Sequence, residues 1–420
     1  MVQAQSEHEG HAATNIDRAM ADLSAGNMII LVDDETRENE GDLVCAAEKI
    51  TPTIVNFMLR EARGVLCLAL SGELCDHLNL YPQASNNSAP LGTAFTVTID
   101  AAGAFGVTTG VSASDRARTI LRAVEAEAKA SDFTRPGHIN PLRARDGGVL
   151  VRCGQTEGSV DLTRLAGLKS AAVIIEIMNE DGTMARMDDL KQFAQKNQIR
   201  ICSVADLIQY RMQRERLVYR IEQINLPTRF GEFKLTAYHC PADEHTHVAL
   251  SMGRLGRVDA NGLPVPIDHP VLVRVHSECL TGDVFGSNRC DCGEQLDAAM
   301  AMVAAAGEGA IIYLRQEGRG IGLANKLHAY ALQERGLDTV QANLRLGFSA
   351  DRRDYGIGAQ ILRDLGVREV RILTNNPKKV SRLELYGLKV AEQVPLKIQS
   401  QAMNRRYLST KKAKLGHLLD

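Results

Sequence analysis

The chain has 420 residues, 45% hydrophobic and 24% charged, with a formal net charge of −2. That length accommodates two or three domains, each with its own core. So small a net charge excludes the broad basic field with which proteins grip nucleic acid or an anionic membrane.

No apolar run approaches the roughly 20 residues of a membrane-spanning helix. The polar start MVQAQSEHEGHAA reads as a frayed cytoplasmic tail over residues 1–12 rather than a secretory signal. Asn15 to Leu23 has helical spacing stopped by Gly26, and Met28 to Val32 is a short apolar strand. DDETRENEGDL follows, placing Glu38, Glu40 and Asp42 where they either gather a hard cation such as magnesium or form a solvated turn. Thr51 caps a helix ending near Gly64, and Val65 to Leu70 is a strand. Ser112 or Ser114 caps a helix over Arg116 to Ala130. Helix Asp161 to Leu168, buried strand Ala172 to Ile177, helix Leu190 to Asn197 and strand Ile199 to Val204 complete the first half.

The charged stretch QYRMQRERLVYRIEQ marks a boundary at about residue 212, dividing a domain over 13–212 from one over 213–420. Strand alternation around Pro227 and Gly231 predicts a hairpin. Strands His247 to Ser251 and Val271 to Val275 follow, then helix Gln295 to Ala306, strand Ala310 to Leu314 and helix Ala324 to Arg335. Helix Gly356 to Leu365, strand Glu369 to Leu373 and helix Pro377 to Tyr386 close the pattern. The fold class is α+β, two domains of mixed α and β layers.

Nine cysteines, an odd number in a chain without a secretory signal, point to metal binding or plain burial rather than disulfides. Cys45, Cys75, Cys202 and Cys240 stand alone and read as buried. Cys279, Cys290 and Cys292 form C-x10-C-x-C within HSECLTGDVFGSNRCDCGEQL. Three thiolates suit zinc, and three protein ligands leave a fourth position for water, whose pKa the ion lowers to about 7. Ordinary buried thiols and a structural site closed by His276 or another residue are the competing readings. The flanking His276, Glu278, Asp283 and Asp291 weigh against plain burial, because polar groups are costly to bury for nothing. YLRQEGRGIGLANK adds Arg315 and Arg319 among glycines, and TNNPKK opens a helix at Pro377 with Lys378 and Lys379 beside it. Both suit phosphate.

VRVHSECLTGDVFGSNRCDCG, YLRQEGRGIGL, DTVQANLRLGFSADRRDYGIGAQIL and LTNNPKK, in this order and spacing, resemble GTP cyclohydrolase II over roughly 210–420. The resemblance implies zinc on Cys279, Cys290 and Cys292. It also implies hydrolysis of GTP at C8 with release of formate and pyrophosphate, giving 2,5-diamino-6-ribosylamino-4-pyrimidinone 5'-phosphate for riboflavin. Arg353 takes the place of a nucleophile on the α-phosphorus with Asp351 as its acid/base partner. Because a guanidinium stays protonated, charge stabilisation by Arg353 stays open. Tyr330 takes the place of a tyrosine that orients the attacking water. GTP binding falls to Arg274, Val275, His276, Ser277, Glu278, Gln295, Glu317, Gly318, Arg319, Thr339, Thr374 and Lys379, with magnesium on the phosphates. Thr339 and Gln295 also read simply as a turn residue and a helix-face residue. Asn288 and Gln341 depart from the family's usual residues.

TAFTVTID, GVTTGVSASDRARTI, RPGHINPLRARDGGVLVR and TEGSVDLTRLAGL resemble 3,4-dihydroxy-2-butanone 4-phosphate synthase over roughly 13–210. That family converts ribulose 5-phosphate with loss of formate. Arg37, Glu38, Asp42, Cys67, His138, Arg152, Thr156 and Glu176 stand at matching positions. The family motif G-H-T-E-A, however, reads Gly154, Gln155, Thr156, Glu157, Gly158. Asn140 replaces an aromatic, and the loop Tyr81 to Pro90 also departs. Glutamine offers an oxygen that hard cations accept, but it does not carry a proton near neutral pH. The expectation is a working cyclohydrolase, homodimeric by resemblance, with an impaired or inactive synthase domain. A fully bifunctional enzyme, a non-catalytic GTP-binding regulator and a cyclohydrolase of another pathway are the alternatives.

Overall fold

The computed structural model describes residues 2–35, 37–89, 91–348 and 355–398. The chain divides between Arg214 and Glu215 into two compact units, with Asn86–Gly92 grouped with the second. None of the described helices is long and apolar enough to cross a membrane.

The first unit is built on one mixed sheet. Its strands are β1 (Ile29–Val32), β2 (Gly41–Ala46), β3 (Cys67–Leu70), β4 (Ile99–Ala101), β5 (Phe133–Arg143), β6 (Ala171–Glu176) and β7 (Arg200–Ser203), in the order β4-β5-β3-β6-β2-β1-β7. Its helices are α1 (Val2–Ser24), α2 (Pro52–Phe57), α3 (Gly72–His77), α4 (Ala113–Val124), α5 (Gln155–Leu165), α6 (Met187–Asn197) and α7 (Val204–Arg214). One core joins alternate strand residues such as Ile30, Leu43 and Leu68 to Val55 of α2, Ile120 of α4 and Leu190 of α6.

Several bounds differ from the sequence pattern. Helix α1 begins at Val2 rather than near Asn15, since the first stretch, although polar all round, is rich in the helix formers Ala, Gln and Glu. Helix α4 is capped by Ser112 and ends at Val124 rather than Ala130. Helix α5 begins at Gln155 rather than Asp161, after an extended Gly154. Strand β2 escapes the pattern because all six of its residues are buried, so it carries no alternation.

The second unit has β8 (Tyr219–Thr228), β9 (Gly231–Cys240), β10 (Asp243–Met252), β11 (Val271–Ser277), β12 (Gly309–Leu314), β13 (Glu369–Leu373) and β14 (Lys389–Val394), in the order β14-β13-β11-β12-β10-β9-β8. From β12 to β8 the pairing is antiparallel. From β14 to β12 it is parallel. Its helical segments are α8 (Leu280–Asp283), α9 (Cys292–Ala306), α10 (Glu317–Gly320), α11 (Gly322–Glu334), α12 (Thr339–Arg345), α13 (Gly356–Asp364) and α14 (Pro377–Leu385). A core of Phe233, Leu272, Ala299, Val303, Ile311 and Leu373 packs α9 on the sheet.

The parallel half fixes where a site can form. The chain leaves β11 towards β12 on one side and leaves β13 towards β14 on the other. Connections that part in this way open a crevice at the carboxyl ends of the two strands. Ser277, Leu314 and Leu373, which end β11, β12 and β13, all deliver their following loops to that edge.

Candidate functional site

Cys279 follows β11, Cys290 precedes α9, and Cys292 opens it. The three sulfurs lie within 4.8 Å of one another, with 3.6 Å between Cys279 Sγ and Cys290 Sγ. Two glycines make the approach possible. A Cβ on Gly282 would lie 3.1 to 3.2 Å from atoms of all three cysteines, and one on Gly293 would lie 2.3 Å from the Gly282 carbonyl oxygen. Three thiols this close do not ionise together unaided. Cys279 is held low by hydrogen bonds from Cys290 and Cys292, and then by Lys326. Cys290 is pushed up to about 11 by its neighbour Cys279, and Cys292 rises well above the ordinary thiol range for the same reason. A divalent ion among the sulfurs removes that conflict, so the donor set fits zinc.

Among the described residues no fourth histidine, cysteine, aspartate or glutamate joins this group. His276 turns Nε2 to Asp283, 3.1 and 3.2 Å from its two oxygens. Its ring stacks on Tyr313 with centroids 5.5 Å apart. Burial lowers its pKa, which favours neutral imidazole. Asp283 also accepts from the Cys279 amide at 2.9 Å and from the Tyr313 hydroxyl at 2.8 Å. One carboxylate thus fixes the histidine, the tyrosine and the backbone of the first cysteine.

A second set of contacts reaches the sulfurs from α11. Lys326 Nζ donates to Cys279 Sγ at 3.1 Å and to Glu317 Oε1 at 2.8 Å. Glu317 also accepts from the Gly318 amide at 2.6 Å and the Leu280 amide at 2.7 Å, so both its oxygens are engaged. Tyr330 lies one turn beyond Lys326, its hydroxyl 3.5 Å from Thr281 Oγ1, which is 3.7 Å from Cys279 Sγ. Burial pushes the Tyr330 phenol up to about 12, so it keeps its proton near neutral pH.

Beneath the cysteine loop runs a buried polar chain. Arg274 donates to the Leu373 carbonyl at 2.8 Å and to Gln295 Oε1 at 2.5 Å, and Gln295 Nε2 donates to Asp291, between two of the cysteines, at 2.6 Å. Lys379 Nζ donates to the Val275 carbonyl at 3.0 Å. Thr374 accepts the Asn376 amide at 3.0 Å, and Glu278 accepts from Arg315 Nε at 2.8 Å. Thr339 is the first residue of α12, behind the cap Asp338, and Gln341 completes a capping box there. Buried His276 Nδ1, Ser277 Oγ and Gln316 Oε1 have no hydrogen-bond partner among the described residues, and all three lie at the ends of β11 and β12. Asp351 and Arg353 lie outside the described residues, and the Arg319 side chain is likewise not described.

In the first unit the acidic loop after β1 closes on an arginine. Arg37 Nη1 lies 2.8 Å from Asp33 Oδ2, 2.7 Å from Glu38 Oε2 and 2.9 Å from Gln155 Oε1. Asp33 is itself held by the amides of Glu38 and Glu40 at 3.0 and 2.9 Å. Burial opposes the Arg37 charge, yet Glu38 and Asp33 raise its pKa overall. Asp42 pairs in register with Glu176. Burial, then Glu176 and Glu38, push its carboxyl well above the usual range. Glu176 accepts the Val65 amide at 2.8 Å. Arg152 donates to Glu157 at 2.5 Å, while Thr156 is buried in the first turn of α5. His138 Nδ1 lies 2.6 Å from Asp100. Asn140 donates to the Leu66 carbonyl at 3.1 Å. The Cys67 thiol is buried and driven up.

Residues 17–210 match the 3,4-dihydroxy-2-butanone 4-phosphate synthase family, and residues 219–395 match GTP cyclohydrolase II. The riboflavin biosynthesis protein RibBA of Aquifex aeolicus is 54% identical over 98% of this chain and 100% of its own. That of Mycobacteroides abscessus is 54% identical over 96% of this chain and 95% of its own. The solved structure of RibBX, a two-domain 3,4-dihydroxy-2-butanone 4-phosphate synthase from A. baumannii, is 38% identical with a TM-score of 0.63, covering 90% of this chain and 99% of that one. The chain belongs to the bifunctional riboflavin biosynthesis family.

Seen as the two halves of that family, the chain carries chemistry the sequence pattern did not single out. In the cyclohydrolase half these residues are Thr281 and Lys326. A lysine on a helix reads as solvent-facing, but its spacing of four from Tyr330 puts both on one face. In the synthase half the residue is Asp33, four before Arg37 and ion-paired to it. The solitary Cys45, Cys75, Cys202 and Cys240 are buried as expected, and burial drives the thiols of Cys45 and Cys202 up to about 12.

Proposed function

We propose that the cyclohydrolase half is a zinc enzyme that opens the purine of GTP at C8, with release of formate and pyrophosphate, and leaves 2,5-diamino-6-ribosylamino-4-pyrimidinone 5'-phosphate. The observation that carries this reading is the convergence of Cys279, Cys290 and Cys292 within 4.8 Å with no fourth donor of their kind among the described residues. Zinc, when held there, supplies a Lewis acid that lowers the pKa of a water to about 7.

The chain's own groups do the rest. Burial keeps His276 neutral, and Asp283 orients it at the end of β11. Tyr330 retains its proton and serves as a hydrogen-bond partner for the attacking water. The unpartnered His276 Nδ1, Ser277 Oγ and Gln316 Oε1 are buried polar groups of the kind a bound ligand satisfies. The start of α14 and Lys379 suit the phosphates, with magnesium as counter-ion. Arg274 and Gln295 support the site from below through Asp291. Asp351 and Arg353 enter on the ADRRDYG motif, as acid/base and as nucleophile or charge stabiliser. The reading places a homodimer in the cytoplasm, where thiols stay reduced.

For the synthase half the proposal is an impaired activity. Glu38 of the acidic loop and Gln155, which replaces the histidine metal ligand of the family motif, both bond the same Arg37 nitrogen. As arranged they do not fit a magnesium ion. One observation favours a second reading, an active synthase: the Asp42, Glu176 and Glu38 carboxylates still crowd one end of the sheet, as the raised Asp42 pKa reflects.

The test is incubation of the full chain with GTP and magnesium, following pyrimidine mass, formate and pyrophosphate. The expectation is all three products, lost with a zinc chelator and restored by zinc. Product formation that survives complete zinc removal overturns the cyclohydrolase reading. Ribulose 5-phosphate with magnesium, under the same formate assay, separates the two readings of the synthase half. An ordinary enzymatic turnover rate refutes impairment.

A further inference from the structure

Lys326 is 8% exposed. Burying an ammonium group is costly unless it is paired and hydrogen-bonded, so its partners say what it is for. It has a carboxylate oxygen, Glu317 Oε1 at 2.8 Å, and a sulfur, Cys279 Sγ at 3.1 Å. The carboxylate alone gives an incomplete account. Glu317 is already held by the amides of Gly318 and Leu280, so its place does not depend on the lysine. Glu317 instead directs the ammonium towards the sulfur.

Three thiolates around a divalent ion leave one surplus negative charge. A cation in contact with one sulfur offsets it. An N–H donor on a thiolate also withdraws electron density that the sulfur would otherwise give to the metal, and groups in this position commonly change metal affinity 10- to 100-fold.

We infer that Lys326 is a positioning residue of the zinc centre, its ammonium group setting through Cys279 how tightly the three cysteines hold the ion and how much negative charge they pass to it. This rests on the zinc cyclohydrolase reading.

The test uses the full chain and two variants, Lys326→Met and Lys326→Arg, with three readouts: zinc affinity by chelator competition, the sulfur-to-cobalt charge-transfer band after cobalt(II) loading, and kcat and KM for GTP in saturating zinc. For Lys326→Met we expect zinc held about 10- to 100-fold more weakly, the buried surplus charge left without a counter-ion outweighing the stronger donation from the freed sulfur. The cobalt band moves to lower energy, because a sulfur that has lost its donor is more electron-rich, and kcat falls with KM changed less than about 3-fold. Lys326→Arg keeps a charged donor and recovers part of the affinity. Zinc affinity and a cobalt band both equal to the parent's, with only a lower melting temperature, would make Lys326 a structural partner of Glu317 and overturn the inference. A raised KM with unchanged metal affinity would put Lys326 on GTP and overturn it too. Should Lys326→Met fail to fold, Lys326→Arg decides, since a guanidinium must change the donor geometry at sulfur; an unshifted cobalt band sinks the inference. A parent chain that neither binds zinc nor opens GTP defeats the functional reading itself, before any variant is compared.

Discussion

In the cyclohydrolase half, three sulfurs come within 4.8 Å of one another, and Lys326 touches one of them from the side. In the synthase half, three oxygens from Asp33, Glu38 and Gln155 close on a single nitrogen of Arg37 at 2.7 to 2.9 Å. Both are clusters of electron-rich donors at the end of a mixed sheet, but only in the second do all three donors bond one cation of the chain, whereas Lys326 bonds a single sulfur. Donors that converge without a shared cation need an ion among them, because their charges otherwise exclude one another. Donors that converge on a guanidinium are already satisfied, and an incoming metal must displace it.

The largest effect expected from this contrast is at the sulfurs. Cys290→Ser should lower GTP ring opening on the order of 10³-fold or more, since the ion's effect on water, from a pKa of 15.7 to about 7, is lost with it. Formate release from ribulose 5-phosphate should be unchanged in the same preparation, and a parallel fall there would show that the halves do not act separately. Gly293→Ala is a milder version. Its new Cβ would meet the Gly282 carbonyl oxygen at 2.3 Å, so the backbone beside two sulfurs must shift. Misplacement of that size costs on the order of 10²-fold in rate. Zinc titration should show weaker binding alongside slower turnover, whereas slower turnover at full zinc affinity would mean that the glycine serves something other than the trio.

On the synthase side the sharpest change is Gln155→His. If Gln155 keeps Arg37 seated among the acids, histidine should loosen that contact and restore a metal ligand. Formate release from ribulose 5-phosphate should then rise on the order of 10-fold, with a matching gain in manganese binding. A parent already at full rate, unmoved by the substitution, would break the contrast between the halves.

How much of this was legible from the sequence depends on what each residue type says alone. Three cysteines at C-x10-C-x-C among polar neighbours announce a metal, because thiols and carboxylates are seldom brought together otherwise. Lys326 announces nothing, since most helix lysines are solvated; only the fold, by turning α11 towards the loop after β11, makes it a partner of sulfur. Asp33 likewise reads as one charge of a solvated loop until the chain bends to bring it and Gln155 to the same nitrogen of Arg37. The hairpin around Gly231 and the strands β11, β12 and β13 of the parallel half were readable from alternation and apolar runs, whereas β14 was not. Strand β2 was not, because a fully buried strand loses its alternation. Helix α12 is only seven residues long, too short for periodicity to show.

The smallest effect tests whether departures from a family pattern differ in kind. Gln341, like Gln155, is a glutamine where the family has a residue of another charge type, but its amide oxygen accepts the Asp338 amide at 3.0 Å and completes a capping box. That job needs only an acceptor, and glutamate performs it equally well. Gln341→Glu adds a negative charge that the start of the helix favours and the nearby Asp338 opposes. The two effects nearly cancel, so melting should register a change within about 0.5 kcal/mol and GTP turnover should stay within about 2-fold. A loss of turnover larger than that would mean that position 341 touches the chemistry, and that Gln155 is not the only glutamine in this chain with consequences for activity.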